Sequence, residues 1–600
     1  IFATLNNIFM SVLKLIHNNT KTIGDLPALS FRENGVWKSK NWREFGEELA
    51  QISNALSSLG MRAGDKLGIF SDNSKDWVLV DFANQSLGAI TVPIYATNSK
   101  EQVEFILRQT EIKVILVGAE KQLEIVREIK QNSEFADLQV ISSIQLENPT
   151  EQEYYLPKWK DAYDKEFQYK DIYINSTATI LYTSGTTGTP KGVVLTHKNF
   201  YAVIKAHKEF FNIENLYNKV SMAFLPLSHI FERGWSSFVF ATGGHVAVLD
   251  NPKDVSQALK EVKPWAMCSV PRLYEKIYQV LLNKIEGSSS LKQEFFRRAL
   301  RIGVKYSERV RKGEKIPFLL GLKYKFYSAL VFKKIRNELG GNLSFMPVGG
   351  AMLKKEISEF FAAIGMPIIV GYGLSETCAT VTAYPTVNFV HGSVGVALPG
   401  VEIKIGEENE ILVKYDGVMK EYYKNPEETA KVFTTDGYFR TGDAGRIDED
   451  GNLYIVDRIK DLMKTSNGKY IAPQSIEIPL QTHPSISQAL VIAEGKPYVT
   501  SFIVPNFEVL SQELAEFKDY LKLNLAEKMK LLEMPNIKEK FQKIIAEVQK
   551  GQSSYEHIKK FMLLPEEFTI ERGELTPTWK IKRKVVMDKL RHEIERIYKD

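Results

Sequence analysis

The chain has 600 residues, of which 44% are hydrophobic and 25% are charged, and it contains no low-complexity tract. This length exceeds what one hydrophobic core supports, so we expect roughly two to four structural units. The net charge of +5 is small for this length, and the aromatic residues do not alternate with basic ones, which argues against a nucleic-acid-binding protein.

The two cysteines and the short apolar runs indicate the compartment. Cys268 and Cys378 lie far apart in sequence, which indicates neither a disulfide framework nor a zinc site. The apolar runs, such as residues 238–249, are too short to span a bilayer. Residues 1–17 lack a basic leader and cleavage site, so we expect a cytoplasmic protein. The apolar spacing of residues 1–17 predicts an amphipathic helix that packs on the protein body; the alternative is peripheral contact with the inner face of a membrane.

Strands and helices alternate in the first third of the chain. Short apolar runs at residues 66–70, 114–117 and 138–141 predict strands. Helical spacing at residues 42–59, ended by Gly60, and at residues 77–87 predicts helices between them. This alternation predicts a mostly parallel sheet with helices on both faces.

The later part of the chain contains an insertion and a change of character. Residues 291–339 form a helical, basic segment, which is typical of a solvated helix face; attraction to an acidic membrane or to coenzyme phosphates is the alternative. Turn residues at 436–437 and 448–451 predict hairpins, whereas residues 508–550 predict long helices. We therefore expect a large domain at residues 1–458 and a small one at residues 459–600, with a hinge near Lys460.

The most informative segment is a loop at residues 183–192. Its three glycines allow close approach of an anion, its hydroxyls can donate hydrogen bonds, and Lys191 adds a positive charge. It is not a Walker A motif, because no Ser or Thr follows the lysine. Composition alone leaves two interpretations open, a phosphate-binding loop and a flexible turn.

The whole string LYTSGTTGTPKG at residues 181–192 resembles the signature loop of the adenylate-forming, or AMP-binding, superfamily. Six further motifs of that family follow in its order: FLPLSHIFER at 224–233, VGGA at 348–351, GYGLSET at 371–377, YFRTGD at 438–443, VDRIKD at 456–461 and LTPTWK at 575–580. The sequence after His229, the Asp457-Arg458 pair, the form of the last motif and the helical insertion resemble the long-chain fatty acyl-CoA synthetases of this superfamily.

The resemblance implies a fold and a reaction. The fold would be α/β, with a large N-terminal body of mixed and parallel sheets flanked by helices and a small, mobile C-terminal α+β domain. The reaction would be activation of a fatty acid by ATP and Mg²⁺ to an acyl-adenylate, followed by transfer to coenzyme A. Two alternatives stay open, transfer to a carrier protein and activation of another carboxylic acid. A further alternative is a catalytically inactive binding or scaffold protein on the same fold; the presence of Lys191, Glu376, Asp443 and Lys580 argues against it.

The resemblance also implies roles for single residues. Lys580, Glu376 and His229 would be catalytic, and Thr183 and Glu376 would hold Mg²⁺. The nucleotide would contact the following residues: Thr183, Ser184, Gly185, Thr186, Thr187, Gly188, Thr189, Lys191, Gly349, Gly350, Ala351, Gly371, Tyr372, Gly373, Thr377, Asp443 and Arg458. Lys460 would be the hinge, Gly468 and Tyr470 would contact coenzyme A, and Trp235 is a candidate gate to the acyl tunnel. Outside this family, Trp235 would be read as a packing residue and Asn467-Gly468 as an ordinary hairpin turn.

Overall fold

The computed structural model of the chain describes residues 11–166, 171–183, 190–550, 552–570, 572–576 and 581–599. The N-terminal body is built on an eight-stranded sheet. Its strands, in spatial order, are Glu421–Tyr422, Lys191–Thr196, Thr177–Thr183, Ile90–Ile94, Lys66–Phe70, Val114–Val117, Gln139–Ser142 and Glu153–Tyr155. The last six of these run parallel, and their central strands are almost wholly buried, as expected for a parallel sheet covered on both faces.

Two further sheets join at their edges to extend the body. One has five strands, in the order Ala266–Met267, Val220–Ala223, His245–Val248, Pro27–Glu33 and Val36–Asn41. The other has four, in the order Met346–Val348, Ile368–Tyr372, Thr382–Ala383 and Val396–Ala397. Parallel bridges from Ala266 to Phe345 and from Ser269 to Val348 connect them. The predicted α/β body of mixed and parallel sheets is therefore present.

Helices cover these sheets and end where sequence patterns indicated. The helix Trp42–Ser58 begins with a capping box, in which Asn41 and Glu44 accept each other's backbone N–H at 2.8 and 2.9 Å. The predicted helix at residues 77–87 is Lys75–Ser86. The other helices of the body are Val12–Thr22, Lys100–Thr110, Glu120–Lys130, Leu156–Trp159, His197–Phe211, Ile230–Ala241, Val255–Val262, Pro271–Glu286, Lys355–Ala363 and Pro426–Lys431.

The predicted N-terminal helix is described only in part. Residues 1–10 lie outside the described residues, and the helix Val12–Thr22 runs further than the predicted residue 17. Val12, Leu13 and Ile16 are buried in the main core, so this helix packs on the body. In the described part of the chain, no helix combines the length and the apolar character that crossing a bilayer requires.

The basic insertion consists of three α-helices and one π-helical turn: Ser290–Arg311, Phe318–Tyr327, Ser328–Phe332 and Lys333–Glu338. The chain then forms an antiparallel sheet of Glu402–Ile405, Glu410–Lys414, Phe439–Ile447 and Leu453–Arg458. Gly437 and Gly451 have φ of 82° and 81° in its turns, a conformation that favours glycine, so the predicted hairpins are confirmed.

The C-terminal part, after Arg458, contains two small sheets with their own core. The strands Met463–Lys464 and Tyr470–Ile471 form a hairpin, and Ile486–Ile492, Val499–Pro505 and Ile558–Leu563 form a three-stranded sheet. Its helices are Pro473–Gln481, Phe507–Glu513, Leu525–Leu532, Pro535–Val548, Arg583–Lys589 and Arg591–Lys599. The prediction of long helices at residues 508–550 was wrong for its first part, because Asn506, Asn524 and Pro535 each begin a separate helix, of 7, 8 and 14 residues.

Candidate functional site

The two ends of the glycine-rich loop are held by a β-hairpin. Thr177–Thr183 pairs antiparallel with Lys191–Thr196, and Thr183 faces Lys191 across the pair. The Thr183 hydroxyl donates to the Lys191 carbonyl at 3.5 Å. Ser184, Gly185, Thr186, Thr187, Gly188 and Thr189 lie outside the described residues. The described ends fix where the loop leaves the eight-stranded sheet.

Lys191 has one acidic and one aromatic partner, neither of which the sequence indicated. Its Nζ forms an ion pair with Glu428 and lies 5.0 Å from the ring centroid of Tyr422. Hydrogen bonds from Lys191 and Lys431 lower the pKa of Glu428 to about 2, so Glu428 is ionised at neutral pH. Lys191, Lys431 and the predicted hinge residue Lys460 line a cavity of about 500 Å³. The ionised Glu428 also lines this cavity, so the three ammonium groups leave a net positive charge that attracts anions.

Glu376 is held by the same tyrosine. It lies in the short 3-10 helix Ser375–Thr377, which follows the strand Ile368–Tyr372. The Tyr422 hydroxyl donates to Glu376 Oε1 at 2.8 Å. Burial and the charge of Glu376 raise the pKa of Tyr422, so its hydroxyl keeps the proton that it donates. Tyr422 therefore connects Lys191 with Glu376.

The turn around Glu376 is tightly packed and conformationally strained. A Cβ on Gly373 would lie 1.3 Å from the Ala379 carbonyl oxygen, which excludes any side chain there. Cys378 and Ala379 have φ of 48° and 82°, a conformation that is costly outside glycine. The buried Thr377 accepts from the Leu374 N–H at 2.8 Å through its hydroxyl. This turn therefore has little freedom to move Glu376.

A second glycine turn lies next to it. Met346–Val348 and Ile368–Tyr372 are parallel neighbours, so the chain after each strand leaves the sheet at the same edge. A Cβ on Gly349 would lie 3.5 Å from the Gly371 carbonyl oxygen, and Gly350 has φ of 83°. The predicted nucleotide residues Gly349 to Ala351 and Gly371 to Gly373 are thus adjacent. Such an edge is where open α/β sheets bind ligands.

Asp443 is buried at this edge and contacts two polar partners, the buried Tyr372 and the partly exposed Arg458. Its Oδ2 accepts from the Tyr372 hydroxyl at 2.6 Å, and its Oδ1 pairs with Arg458 Nε at 2.8 Å. Asp443 and Arg458 are also opposite each other on paired strands. Burial lowers the pKa of Arg458, but the nearby charges, led by that of Asp443 and including that of Glu376, outweigh it and leave the pKa raised. The structure thus brings Arg458 into the electrostatic range of both predicted carboxylates.

His229 is half-buried, and the residues Ile230, Glu232 and Arg233 that follow it are held in the core. The His229 side chain caps the helix Ile230–Ala241, with Nδ1 accepting from the Phe231 N–H at 3.2 Å, which places the proton of the neutral ring on Nε2. Arg233 is buried and forms two hydrogen bonds to Asp81, at 2.9 and 2.6 Å. Burial raises the pKa of Glu232 to about 8. The ion pair of Arg233 with Asp81 and the hydrogen bond from the Leu225 N–H to Glu232 at 3.2 Å anchor the helix that follows His229.

Trp235, the candidate gate, is packed on both sides. Its ring stacks on Phe345 at 5.3 Å between centroids, and its Nε1 donates to Ser221 Oγ at 2.8 Å. It is 6% exposed. These contacts are those of a core tryptophan, and the gate role remains a prediction.

Residues of the large domain contact both ends of helix Pro473–Gln481 in the C-terminal part. Asp457 Oδ2 accepts from the Gln474 N–H at 3.1 Å, at the start of this helix. At its end, Lys354 Nζ donates to the Pro479 carbonyl at 3.1 Å. A carboxylate at the N-terminus and an ammonium group at the C-terminus both match the helix dipole. We call these two contacts the helix clamp.

The predicted coenzyme A and lysine loops lie in the C-terminal part. Gly468 has φ of 76° and its N–H donates to the Thr465 carbonyl at 2.9 Å, in the turn between two short strands. Locally this is a hairpin turn, and Tyr470 is 60% exposed. Lys580 lies outside the described residues, between Leu575 and Ile581, which form an antiparallel bridge.

Comparison with known proteins identifies the family. A family model described as AMP-binding enzyme matches residues 16–423. The chain belongs to this family. A second model, AMP-binding enzyme C-terminal domain, matches residues 460–600. The chain is 33% identical over 569 residues to the long-chain-fatty-acid–CoA ligase FadD15 of Mycobacterium bovis, covering 94% of this chain and 93% of that protein. It is 27% identical over 622 residues to the long-chain-fatty-acid–CoA ligase ACSBG2 of Homo sapiens, covering 98% and 92%.

Solved structures show the same fold. The anthranilate CoA ligase AuaEII in complex with anthranoyl-AMP superposes with a TM-score of 0.74 at 18% identity, covering 98% of each chain. A fatty acyl CoA synthetase of Mycobacterium tuberculosis superposes with a TM-score of 0.62 at 20% identity, covering 96% of this chain and 98% of that one. These structures confirm the predicted fold class, and the family model with the relatives above confirms the predicted family.

Proposed function

We propose that this enzyme activates a long-chain fatty acid with ATP, releasing pyrophosphate, and transfers the acyl group from the acyl-adenylate to coenzyme A. Membership of the AMP-binding family and the names of relatives that match almost the whole chain support this reaction. The observation that carries it is the convergence of Lys191, Glu376 and Asp443 through Tyr422 and Arg458. These five residues come from five separate elements of the chain.

The first step requires positive charge because a carboxylate must attack a phosphate of ATP. Both reactants are anionic, and fixed cations and hydrogen-bond donors lower the barrier by stabilising the charge that develops. Lys191 and the amides of the 183–192 loop supply these donors for the departing phosphates in our proposal. Arg458 adds a second cation close to the ribose side.

Asp443 is suited to accept hydrogen bonds from ribose hydroxyls. Each carboxylate oxygen can accept about two hydrogen bonds. Oδ2 uses one for Tyr372 and Oδ1 one for Arg458, so each oxygen keeps capacity for a ligand hydroxyl. The pair also fixes the orientation of the carboxylate before the nucleotide binds, which reduces the entropy lost on binding.

Glu376 is suited to hold Mg²⁺ together with the phosphates. Among the described residues, no group of three or more His, Cys, Asp or Glu side chains could hold a metal. Mg²⁺ in nucleotide sites needs only one or two carboxylates, because phosphates and water supply the other oxygens. Glu376 has a second carboxylate oxygen besides the one that accepts from Tyr422, so its chemistry fits this role. Bound Mg²⁺ would neutralise phosphate charge, with Thr183 as its second protein contact.

The two steps divide the site between two domains in our proposal. Residues 1–458 hold the nucleotide, and residues 459–600 move about Lys460. Lys580 acts in adenylate formation, whereas the Gly468 turn with Tyr470 receives coenzyme A after the movement. A glycine there leaves room for the pantetheine chain, since nothing lies within 4 Å of the position of its missing Cβ.

The test is thioester formation by the purified enzyme with ATP, Mg²⁺, coenzyme A and acids from acetate to long-chain fatty acids. We expect acyl-CoA with long-chain acids, and ATP–pyrophosphate exchange without coenzyme A. Transfer of the acyl group only to an acyl carrier protein would contradict coenzyme A as the acceptor. A preference for an aromatic or short acid would contradict a long-chain fatty acid as the substrate.

Variants connect this activity with the site. Glu376→Gln and Asp443→Asn should each lower exchange by roughly 10²-fold or more, the loss seen when one fixed electrostatic partner is removed. Glu449→Gln, an exposed hairpin residue, is the control. Activity that survives both site variants would show that the catalytic centre lies elsewhere.

A further inference from the structure

The basic insertion presents an apolar surface to solvent. Helix Phe318–Tyr327 has no buried residue. Phe318, Leu319, Leu322 and Phe326 are 83%, 67%, 57% and 55% exposed, and their spacing of three and four places them on one face. Leu330 continues the same face into the next turn and is 47% exposed. The arginines alone would indicate an ordinary solvated helix face. Such a face does not usually carry a continuous exposed apolar stripe, so the stripe calls for a further explanation.

The helix that carries the apolar stripe is packed on the protein body through its opposite side. Tyr324, on the opposite side of the helix, stacks on Tyr306 with ring centroids 3.8 Å apart and planes 2° from parallel. Gly303 lies against the Ala363 carbonyl, where an added Cβ would come within 2.5 Å of the oxygen. Helix Ser290–Arg311 is thereby packed closely on the body, and Phe318–Tyr327 is fixed on it.

The surrounding charge is strongly positive. Residues 290–334 contain thirteen Lys and Arg against three Glu, a net charge of +10, whereas the whole chain has +5. The remainder of the chain therefore has −5. Arg297, Arg298 and Arg301 share the single carboxylate of Glu294, at 3.6, 3.2 and 3.1 Å, so most of their charge is unbalanced.

The apolar and basic groups meet in one groove. It has a volume of about 830 Å³ and lies between helices Ser290–Arg311 and Phe318–Tyr327. Arg298, Arg301 and Lys305 form one wall, and Leu322 and Phe326 form part of the other. Lipid headgroups and acyl chains meet in the same way at a bilayer surface, where basic residues contact phosphates and aromatic and leucine side chains enter the acyl boundary.

We propose that helices Ser290–Arg311 and Phe318–Tyr327 form a docking surface for an anionic lipid bilayer, with Phe318, Leu322 and Phe326 inserted and the arginines on lipid phosphates. The charge selects an anionic surface, and the apolar stripe distinguishes a bilayer from a nucleic acid, which offers no apolar phase. The docking does not depend on the proposed reaction; it places the enzyme where long apolar acids accumulate.

The experiment is co-sedimentation of the full chain with phosphatidylcholine vesicles that contain roughly a third phosphatidylglycerol, compared with phosphatidylcholine alone. We expect binding to the anionic vesicles that weakens as salt is raised. Phe318→Ser with Leu322→Ser should weaken it by about tenfold or more, because both side chains enter the acyl region. Arg298→Glu with Arg301→Glu should abolish the preference for anionic vesicles. Both side-chain pairs are solvent-exposed, so acyl-CoA synthesis from a detergent-dispersed acid should persist and report correct folding.

The chain offers a matched control. Leu521 and Leu525 are 86% and 54% exposed, but residues 513–533 around them have four Lys against five acidic residues. Leu521→Ser with Leu525→Ser should leave vesicle binding unchanged. The proposal is overturned if the Phe318 and Leu322 variant binds like the wild type, or if removing residues 1–10 alone abolishes binding. Arginine-dependent binding of a DNA duplex, with vesicle binding insensitive to the apolar pair, would overturn it in favour of a nucleic acid.

Discussion

The helix clamp makes attachment of the C-terminal part sensitive to pH. Asp457 is 2% exposed, and burial raises its pKa from an ordinary 3.8 to about 6, although the Gln474 and Arg458 N–H groups act in the opposite direction. When the clamp opens, solvent reaches this carboxylate and its pKa returns to the ordinary range. The clamped state therefore binds the proton more tightly than the open state.

The sign and size follow from these values. Below pH 4 the carboxyl is neutral in both states, so pH has no effect on it. Between pH 4 and pH 6 the clamped state loses stability, and above pH 6 the loss is complete. Each pKa unit corresponds to about 1.4 kcal/mol, so the shift from 3.8 to about 6 amounts to a loss of roughly 3 kcal/mol. Asp457→Asn removes this cost but also one hydrogen bond, worth about 1 kcal/mol. The net gain at pH 8 is ~2 kcal/mol, or roughly thirtyfold in the opening equilibrium.

Hydrogen exchange at the Gln474 amide measures this opening directly, since that N–H is the donor in the clamp. After correction for the intrinsic exchange rate, the Asp457→Asn variant should be roughly thirtyfold better protected at pH 8, and the wild type should approach it at pH 5. Asp450→Asn, an exposed neighbour in the hairpin, is the control. Weaker protection in the variant at pH 8, or a difference independent of pH, would refute the reasoning.

Three further variants test the site. Tyr422→Phe removes the hydrogen bond to Glu376 and should lower pyrophosphate exchange by roughly tenfold to a hundredfold, with little change in the unfolding temperature; an unchanged rate would dismiss the contact as catalytically irrelevant. Gly373→Ala should abolish activity because its Cβ meets a carbonyl oxygen, whereas Gly234→Ala, with ordinary contact at 3.7 Å, should be tolerated. Lys580→Ala should cost about 10²–10³ in adenylate formation and spare thioester formation from supplied acyl-adenylate; equal losses in both assays would contradict the division of labour.

Local structure was predictable where the pattern is local. The strands Lys66–Phe70 and Val114–Val117 have the predicted bounds. A short apolar run favours a buried strand, and the turn residues on either side set where that strand begins and ends. Residues 508–550 were predicted less well. Their helical periodicity is real, but capping residues inside it end one helix and begin another, and periodicity does not register such breaks.

In the candidate site, only the residues that lie in sequence motifs could be predicted. Glu376, Asp443 and Lys191 stand in recognisable strings, but Tyr422 and Glu428 do not. Tyr422 reaches Glu376 because Glu421–Tyr422 pairs with Lys191–Thr196, a pairing of segments more than two hundred residues apart. Non-local strand pairing leaves no pattern in either segment alone.

The two native thiols are convenient for spectroscopy of the proposed hinge motion. Cys268 and Cys378 are both buried, and burial raises the pKa of each thiol. Buried, protonated thiols react slowly with maleimides. A pair of cysteines introduced at exposed positions, one in each domain, would therefore carry fluorophores selectively in the otherwise native chain. The distance between those fluorophores could then be followed during turnover.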